Sequence, residues 1–155
     1  MSRRAGPAAD WLIALGAIGL FVSLFLTWSH QISVALLAVP GARVALQGVP
    51  PNPTGWQVYS VADVALAALA VALALAALIG HRRFRAIVLP FVLVALGFVL
   101  HALSSPPTNG VRLVNPGAVI PQYAPIAPTA GVGETVALLA LLVALAGIAL
   151  SLAAE

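Results

Sequence analysis

Apolar residues run through four long stretches of the chain, approximately residues 11–28, 59–80, 86–104 and 132–153. Each is close to the ~20 residues that an α-helix needs to cross the ~30 Å hydrocarbon core of a bilayer. No Asp, Glu or Arg lies in the middle of any of them. The pattern predicts an all-α membrane protein in which residues 1–155 form a single four-transmembrane-helix bundle.

The connections between these stretches differ in length. "HRRFR" (residues 81–85) is so short that it predicts an antiparallel hairpin of the second and third helices. Residues 29–58 and 105–131 form two long connections that hold most of the proline. In the first, Pro40–Gly41 predicts either a short β-hairpin or a helical continuation as far as about Val39. The second is apolar enough to pack on the first or on a partner.

The charge distribution predicts how the chain is threaded. Five arginines fall on one side of the predicted membrane and two on the other: Arg3, Arg4, Arg82, Arg83 and Arg85 against Arg43 and Arg112. The positive-inside rule then places both termini in the cytoplasm and both long connections outside. The first apolar stretch exceeds the roughly 7–15 residues of a signal-peptide core, so we expect a retained span.

Composition narrows the possible functions. The chain is 62% hydrophobic and 7% charged, whereas a soluble domain has about 25% charged residues. It contains no cysteine, which excludes disulfides and thiolate metal sites. The net charge of +3 is spread along the chain, so no basic surface for nucleic acid is predicted.

Small residues recur at helical spacing in three of the apolar stretches. Since lipid provides no hydrophobic drive between helices, close packing depends on such residues. We expect helix packing at Gly19, Ser23, Ala68, Ala72, Ala76, Ala140, Ala144, Gly147 and Ser151. The alternative is that these positions only reflect the abundance of alanine in the chain.

Three acidic residues stand near predicted helix starts: Asp10, Asp63 and Glu134. A carboxylate there is stabilised by the free N–H groups and the helix dipole. "SVAD" predicts Ser60 as an N-cap, with Asp63 in place of the usual Glu of a capping box. Pro90 is expected in the first turn of the third helix, where its missing N–H costs little.

The predicted topology also brings four ionisable side chains to one level near the outer ends of the helices. These are His30, Asp63, His101 and Glu134. Two histidines and two carboxylates suit a divalent metal such as zinc or a proton-linked network. However, no two of these four residues have the sequence spacing of a metal-binding motif such as HxxxH. Helix capping and solvation near the membrane surface are therefore the favoured interpretation.

Arg82, Arg83 and Arg85 are interpreted as a topology anchor. Contact with anionic lipid headgroups, or docking of a cytoplasmic partner, is the alternative.

Several stretches resemble small four-span membrane proteins of high-GC actinobacteria, of uncharacterised function. These are "SLFLTW" in the first span, Gly55–Trp56 followed by "YSVADV", the arginine turn, and "GETVALLALLVALAG" in the fourth span. The resemblance implies a multi-pass protein of the bacterial inner (cytoplasmic) membrane. It does not indicate any particular activity. The larger first loop is also similar to the claudin-type four-span arrangement. The chain lacks that family's cysteine pair and W-GLW loop motif, so barrier function is not implied.

We find no nucleophile elbow, phosphate-binding loop or dinucleotide fingerprint. The expectation is a non-enzymatic membrane protein without catalytic residues or cofactor. It would be a structural or accessory subunit that packs against itself or a larger membrane complex. The alternative is a small transporter, channel component, or ligand- or metal-binding protein that uses the cluster of His30, Asp63, His101 and Glu134. A membrane enzyme with a site at that cluster is a third possibility.

Overall fold

The computed structural model describes residues 5–32, 50–107 and 128–154. Five helices and two short strands follow one another in this part of the chain. They are α1 (Ala5–Ser23), β1 (Ser29–His30), α2 (Gly55–Val58), α3 (Ser60–Ile79), α4 (Arg82–Ser104), β2 (Thr129–Ala130) and α5 (Val132–Ala153). The position predicted for a hairpin or helix extension at Pro40–Gly41 lies outside the described residues.

The prediction of an all-α membrane protein is confirmed in part: the chain is mostly helical and has helices of membrane-spanning length. Three helices, α3, α4 and α5, are long and apolar enough to cross a membrane, and Pro7–Ser23 of α1 is a shorter apolar stretch. The predicted bounds of the second and fourth helices agree with α3 and α5 to within a residue. The bounds of the other two were wrong at one or both ends.

The first helix ends at Ser23 rather than at Trp28, and it starts at Ala5 rather than at Trp11. After Ser23 the backbone forms tighter turns than those of an α-helix. The N–H groups of Leu24 and Leu26 donate to carbonyls three residues back, at 3.3 and 3.2 Å. Such bonds are typical of a 3₁₀ turn that closes a helix. The Trp28 indole N–H also donates to the Ser23 carbonyl at 2.8 Å, so the tryptophan folds back over the helix end.

The third helix starts at Arg82, not at Ala86, with His81 as its N-cap. The connection to α3 is therefore only Gly80–His81. Gly80 has φ = 69°, a left-handed conformation that glycine adopts without steric cost, and its N–H donates to the Ala76 carbonyl. Pro90, expected in the first turn, lies in the interior of α4 instead, where it removes one helical hydrogen bond.

The four long helices form a ring in the order α1, α3, α4, α5, and α1 packs most extensively against α5. Neighbours around the ring run antiparallel. One end of the bundle, here called the Trp28 end, holds Trp28 and the starts of α3 and α5; the other, the Arg85 end, holds the α3–α4 turn. The core between them consists of fully buried aliphatic side chains: Ile13, Leu20, Leu24, Leu73, Val92, Val99, Leu141 and Ile148.

Helices α1 and α5 approach closely because small residues face each other. A Cβ atom added to Gly16 would lie 2.6 Å from the Ala144 Cβ and 2.7 Å from the Ala140 carbonyl oxygen. A Cβ on Gly147 would meet Ile13 at 2.8 Å. Gly16 was not among the predicted packing residues, although it makes one of the tightest approaches between the two helices.

The small residues predicted to pack differ in where they lie. Most are buried between helices: Ser23, Ala76, Ala140, Ala144, Gly147 and Ser151. Gly19 is half-buried, and a Cβ there would lie 3.0 Å from the Ala140 Cβ. Ala72 is also half-buried, but Ala68 is exposed. Both line a groove between α3 and α4.

Arg85 is buried at the Arg85 end, with only 4% of its surface exposed. Its guanidinium group donates to the Asp10 carboxylate on α1, to the Ser151 hydroxyl on α5 and, at 3.3 Å, to the Ala76 carbonyl on α3. The contact with Asp10 is also an ion pair. Arg85 thus joins all four long helices, whereas Arg82 and Arg83 are exposed.

The predicted roles of Asp10 and Ser60 at helix starts were wrong. Because α1 begins at Ala5, Asp10 is past its first turn, and its carboxylate binds Arg85 instead. Tyr59, not Ser60, is the N-cap of α3, and no side chain caps that end. Asp63 and Glu134 do lie in the first turns of α3 and α5.

Replacing Arg85 with methionine is expected to lower the free energy of unfolding by about 1.5–3 kcal/mol, the contribution of hydrogen bonds to a charged group. The loss is smaller than for a fully buried ion pair, because the Asp10 side chain is 41% exposed. Thermal or denaturant unfolding in detergent micelles, followed by tryptophan fluorescence, measures the loss. Arg83→Gln, at an exposed site, is the control and should change stability by no more than about 0.5 kcal/mol. Equal effects of the two variants would contradict the structural role of Arg85.

Gly16→Ala is expected to destabilise the bundle by about 1–3 kcal/mol, because the added methyl group collides with α5 in a filled interface. Gly97→Ala is a matched control in α4, since a Cβ there meets nothing within 4 Å. That substitution should stabilise the protein by about 0.5–1 kcal/mol through the helix preference of alanine. The two melting temperatures should therefore move in opposite directions; a stabilising Gly16→Ala would contradict the close α1–α5 contact.

Candidate functional site at the Trp28 end

The segment after α1 runs between two other parts of the chain: it forms an isolated bridge with one and a two-stranded sheet with the other. On one side, the Trp28 N–H donates to the Pro53 carbonyl at 2.9 Å, and Thr27 forms an antiparallel bridge with Thr54. On the other side, β1 pairs antiparallel with β2, with Ser29 opposite Ala130. The ends of both long connections are thereby held at the Trp28 end.

The Trp28 side chain is fully buried between α2 and α5. A Cβ on Gly55 would lie 3.0 Å from its indole nitrogen, and a Cβ on Gly133 would lie 2.8 Å from the same atom. Any larger residue at either glycine would push the ring aside. Tyr59 packs edge-on against Trp28 at 6.2 Å between ring centroids, and against Phe98 at 5.1 Å.

Asp63 and Glu134 lie beside this aromatic centre, and both are fully buried. The Asp63 Oδ1 atom is 3.3 Å from the place that a Cβ on Gly55 would occupy, so the side chain extends back towards the Trp28 end. Side chains on a helix tilt towards its N-terminus, which explains this direction. Both carboxylates lie close enough to the Tyr59 phenol to interact with it electrostatically when they are ionised.

None of the four carboxylate oxygens has a hydrogen-bond partner among the described residues. The nearest stabilising groups are backbone N–H groups at the helix starts, that of Tyr59 for Asp63 and that of Gly131 for Glu134. The Ser29 hydroxyl is also buried and has no partner in the described part of the chain. Burying an ionised carboxylate without a partner is costly, so such groups bind a cation or a proton, or destabilise the fold.

The structure does not bring the two predicted histidines to the carboxylates. His30 is exposed, and its Nδ1 atom is 2.7 Å from the Asn52 side-chain oxygen. His101 is also exposed, near the end of α4. Within residues 5–32, 50–107 and 128–154, no group of three or more His, Cys, Asp or Glu could hold a metal ion.

The sequence analysis placed Trp28 only at the end of the first apolar stretch and missed its central role. It also missed Gly133, whose lack of a side chain makes room for the indole ring. The signal was present in the Gly131–Gly133 spacing at the start of α5: the N–H groups of both glycines donate to the Trp28 segment, at 2.9 and 2.7 Å. Two glycines before a helix are common, however, and do not by themselves identify a neighbour.

Asp63→Asn and Glu134→Gln are each expected to leave the free energy of unfolding unchanged or to raise it by up to about 2 kcal/mol, because each removes a charge from a site without partners. Unfolding in detergent micelles measures the change. Asp10→Asn is the control: it weakens the ion pair with Arg85 and should cost about 1.5–3 kcal/mol. A comparable loss from Asp63→Asn or Glu134→Gln would show that the carboxylate has a partner.

Comparison with known proteins gave no matching family model, no matching curated protein and no matching solved structure. The function is therefore argued from the geometry of this chain alone.

Proposed function

We propose that the chain is a four-span integral membrane protein of the bacterial cytoplasmic membrane. The 19 residues of α1 extend about 28 Å at 1.5 Å per residue, close to the ~30 Å of the hydrocarbon core, so α1 can join the three longer helices as a span. The excess of arginine near the N-terminus and the α3–α4 turn favours a cytoplasmic position for both termini. The resemblance to four-span actinobacterial proteins belongs to the same proposal.

Within the membrane, the proposed role is that of a non-enzymatic structural or accessory subunit. This proposal rests on one observation: polar contacts hold the long helices together at both ends of the bundle. Arg85 joins the four long helices at one end. The Trp28 segment joins α1 to α2 and to the start of α5 at the other. Transporters move one part of the fold against another, and such motion would break these contacts.

Gentle detergent extraction, followed by mass spectrometry of the intact complex and of co-purifying chains, tests the accessory role. The expected result is a defined homo-oligomer or a stoichiometric complex with another membrane protein. Because the chain has no cysteine, a unique cysteine at exposed Ile18 of α1 can be cross-linked in native membranes to verify an association seen in detergent. A clean monomer that gives no cross-link would contradict the accessory role.

A second function, cation binding or transport, is favoured by the buried and unpartnered carboxylates of Asp63 and Glu134. Ionisable groups inside membranes often mark ion or proton pathways. This proposal retains only the carboxylate half of the predicted four-residue cluster, since His30 and His101 are exposed.

The two functions predict different responses to ions. If Asp63 and Glu134 are structural, exchange of choline for sodium or calcium should leave the melting temperature of the wild type unchanged. A cation-binding protein would be stabilised by about 2.7 kcal/mol at a concentration one hundred times the dissociation constant. That stabilisation should disappear in Asp63→Asn and persist in Asp10→Asn. Such a result would favour cation binding over a purely structural role.

A further inference from the structure

An apolar groove of about 610 Å³ runs along the surface between α3 and α4. Alanines of α3, among them Ala65, Ala68 and Ala72, form one wall, and Phe84, Phe91 and Phe98 of α4 contribute to the other. Fourteen residues separate Phe84 from Phe98, which corresponds to about 21 Å along a helix. The groove therefore exceeds the depth of one leaflet, which is about half of the 30 Å hydrocarbon core.

The groove exists because α3 and α4 pack less closely than any other neighbouring pair of long helices in the ring. Its lining consists of alanine, leucine, isoleucine, valine and phenylalanine side chains. A fatty acyl chain is an apolar ligand that is long and thin enough to follow such a path.

The two ends of the groove differ in a way that defines the ligand further. Towards the Trp28 end, the groove reaches Phe98, whose ring contacts the Tyr59 ring. At the Arg85 end, the groove reaches Phe84, and the preceding residues Arg82 and Arg83 are exposed. An apolar groove with aromatic residues at one end and a basic mouth at the other matches an acyl chain attached to an anionic headgroup.

We propose that the α3–α4 groove binds one anionic phospholipid, with an acyl chain between the alanines of α3 and the phenylalanines of α4 and the phosphate at Arg83. Arginine binds phosphate through charge-assisted, often bidentate hydrogen bonds. The basic mouth lies on the side assigned to the cytoplasm, where the leaflet carries anionic lipids. The proposal rests on the membrane location proposed above and is independent of the accessory role.

Native mass spectrometry of the full chain in nanodiscs containing equal amounts of phosphatidylglycerol and phosphatidylcholine tests the site. The wild type should retain one phosphatidylglycerol molecule through delipidation and lose phosphatidylcholine. Arg83→Gln should weaken retention of phosphatidylglycerol about fivefold, the factor for one basic residue at an anionic surface. Ala68→Phe, which fills the groove, should abolish retention. Ala149→Phe, at an exposed position of α5, is the control and should bind like the wild type.

Other outcomes would overturn the proposal. Equal retention of both lipids, or of phosphatidylglycerol by Ala68→Phe, would show that the groove does not select this ligand. If Ala68→Phe instead dissociates an oligomer and leaves lipid retention unchanged, the groove binds a second copy of the chain. Failure to incorporate into nanodiscs, with no co-flotation on lipid vesicles, would contradict the membrane location itself. Melting curves of each variant establish that it is folded before its lipid binding is compared.

Discussion

The guanidinium group of Arg85 constrains the bundle more than any apolar contact does, because a buried cation has to be paired and fully hydrogen-bonded. Its acceptors lie on three other helices, at Asp10, Ala76 and Ser151. They are reached together only when the four long helices meet at one level and α4 has one particular rotation about its axis. A polar network of this kind specifies an arrangement that aliphatic packing alone would leave open, since Leu and Ala tolerate many rotations.

The Trp28 end achieves the same result by different means. There, one large ring fills the space that Gly55 and Gly133 leave, and backbone hydrogen bonds from the same segment hold both neighbouring connections. The carboxylates of Asp63 and Glu134 lie beside this centre without a hydrogen-bond partner among the described residues. The two ends therefore treat ionisable groups in opposite ways: the acid at the Arg85 end has a partner, and those at the Trp28 end do not.

Hydropathy was sufficient to predict α3 and α5, because lipid and protein core both require apolar residues and both helices end where the apolar run ends. It failed at the end of α1 and at the start of α4. Those boundaries depend on Trp28, which folds back, and on Arg85, which is buried, and both make contacts with residues far away in the chain. The predicted topology was sufficient to estimate how far along the bundle four ionisable residues lie: His30, His101, Asp63 and Glu134. It could not predict the direction in which each side chain points, because that depends on how each helix is rotated about its axis in the ring.

The role of a row of small residues on a helix depends on the helix that faces it. The rows on α1 and α5 and the row on α3 show this. Gly16 faces Ala140 and Ala144, so the two backbones come together and the interface closes. The alanines of α3 face phenylalanines on α4 instead. Rings of that size hold the two backbones apart, and methyl groups are too short to fill the space that remains. The same spacing of small residues thus produces a tight seam on one side of the ring and an open groove on the other. The α1–α5 seam and the two polar ends hold the bundle together at contacts outside that groove. The exposed side chains of Ala65, Ala68 and Phe91 in the groove are thereby left available for a ligand.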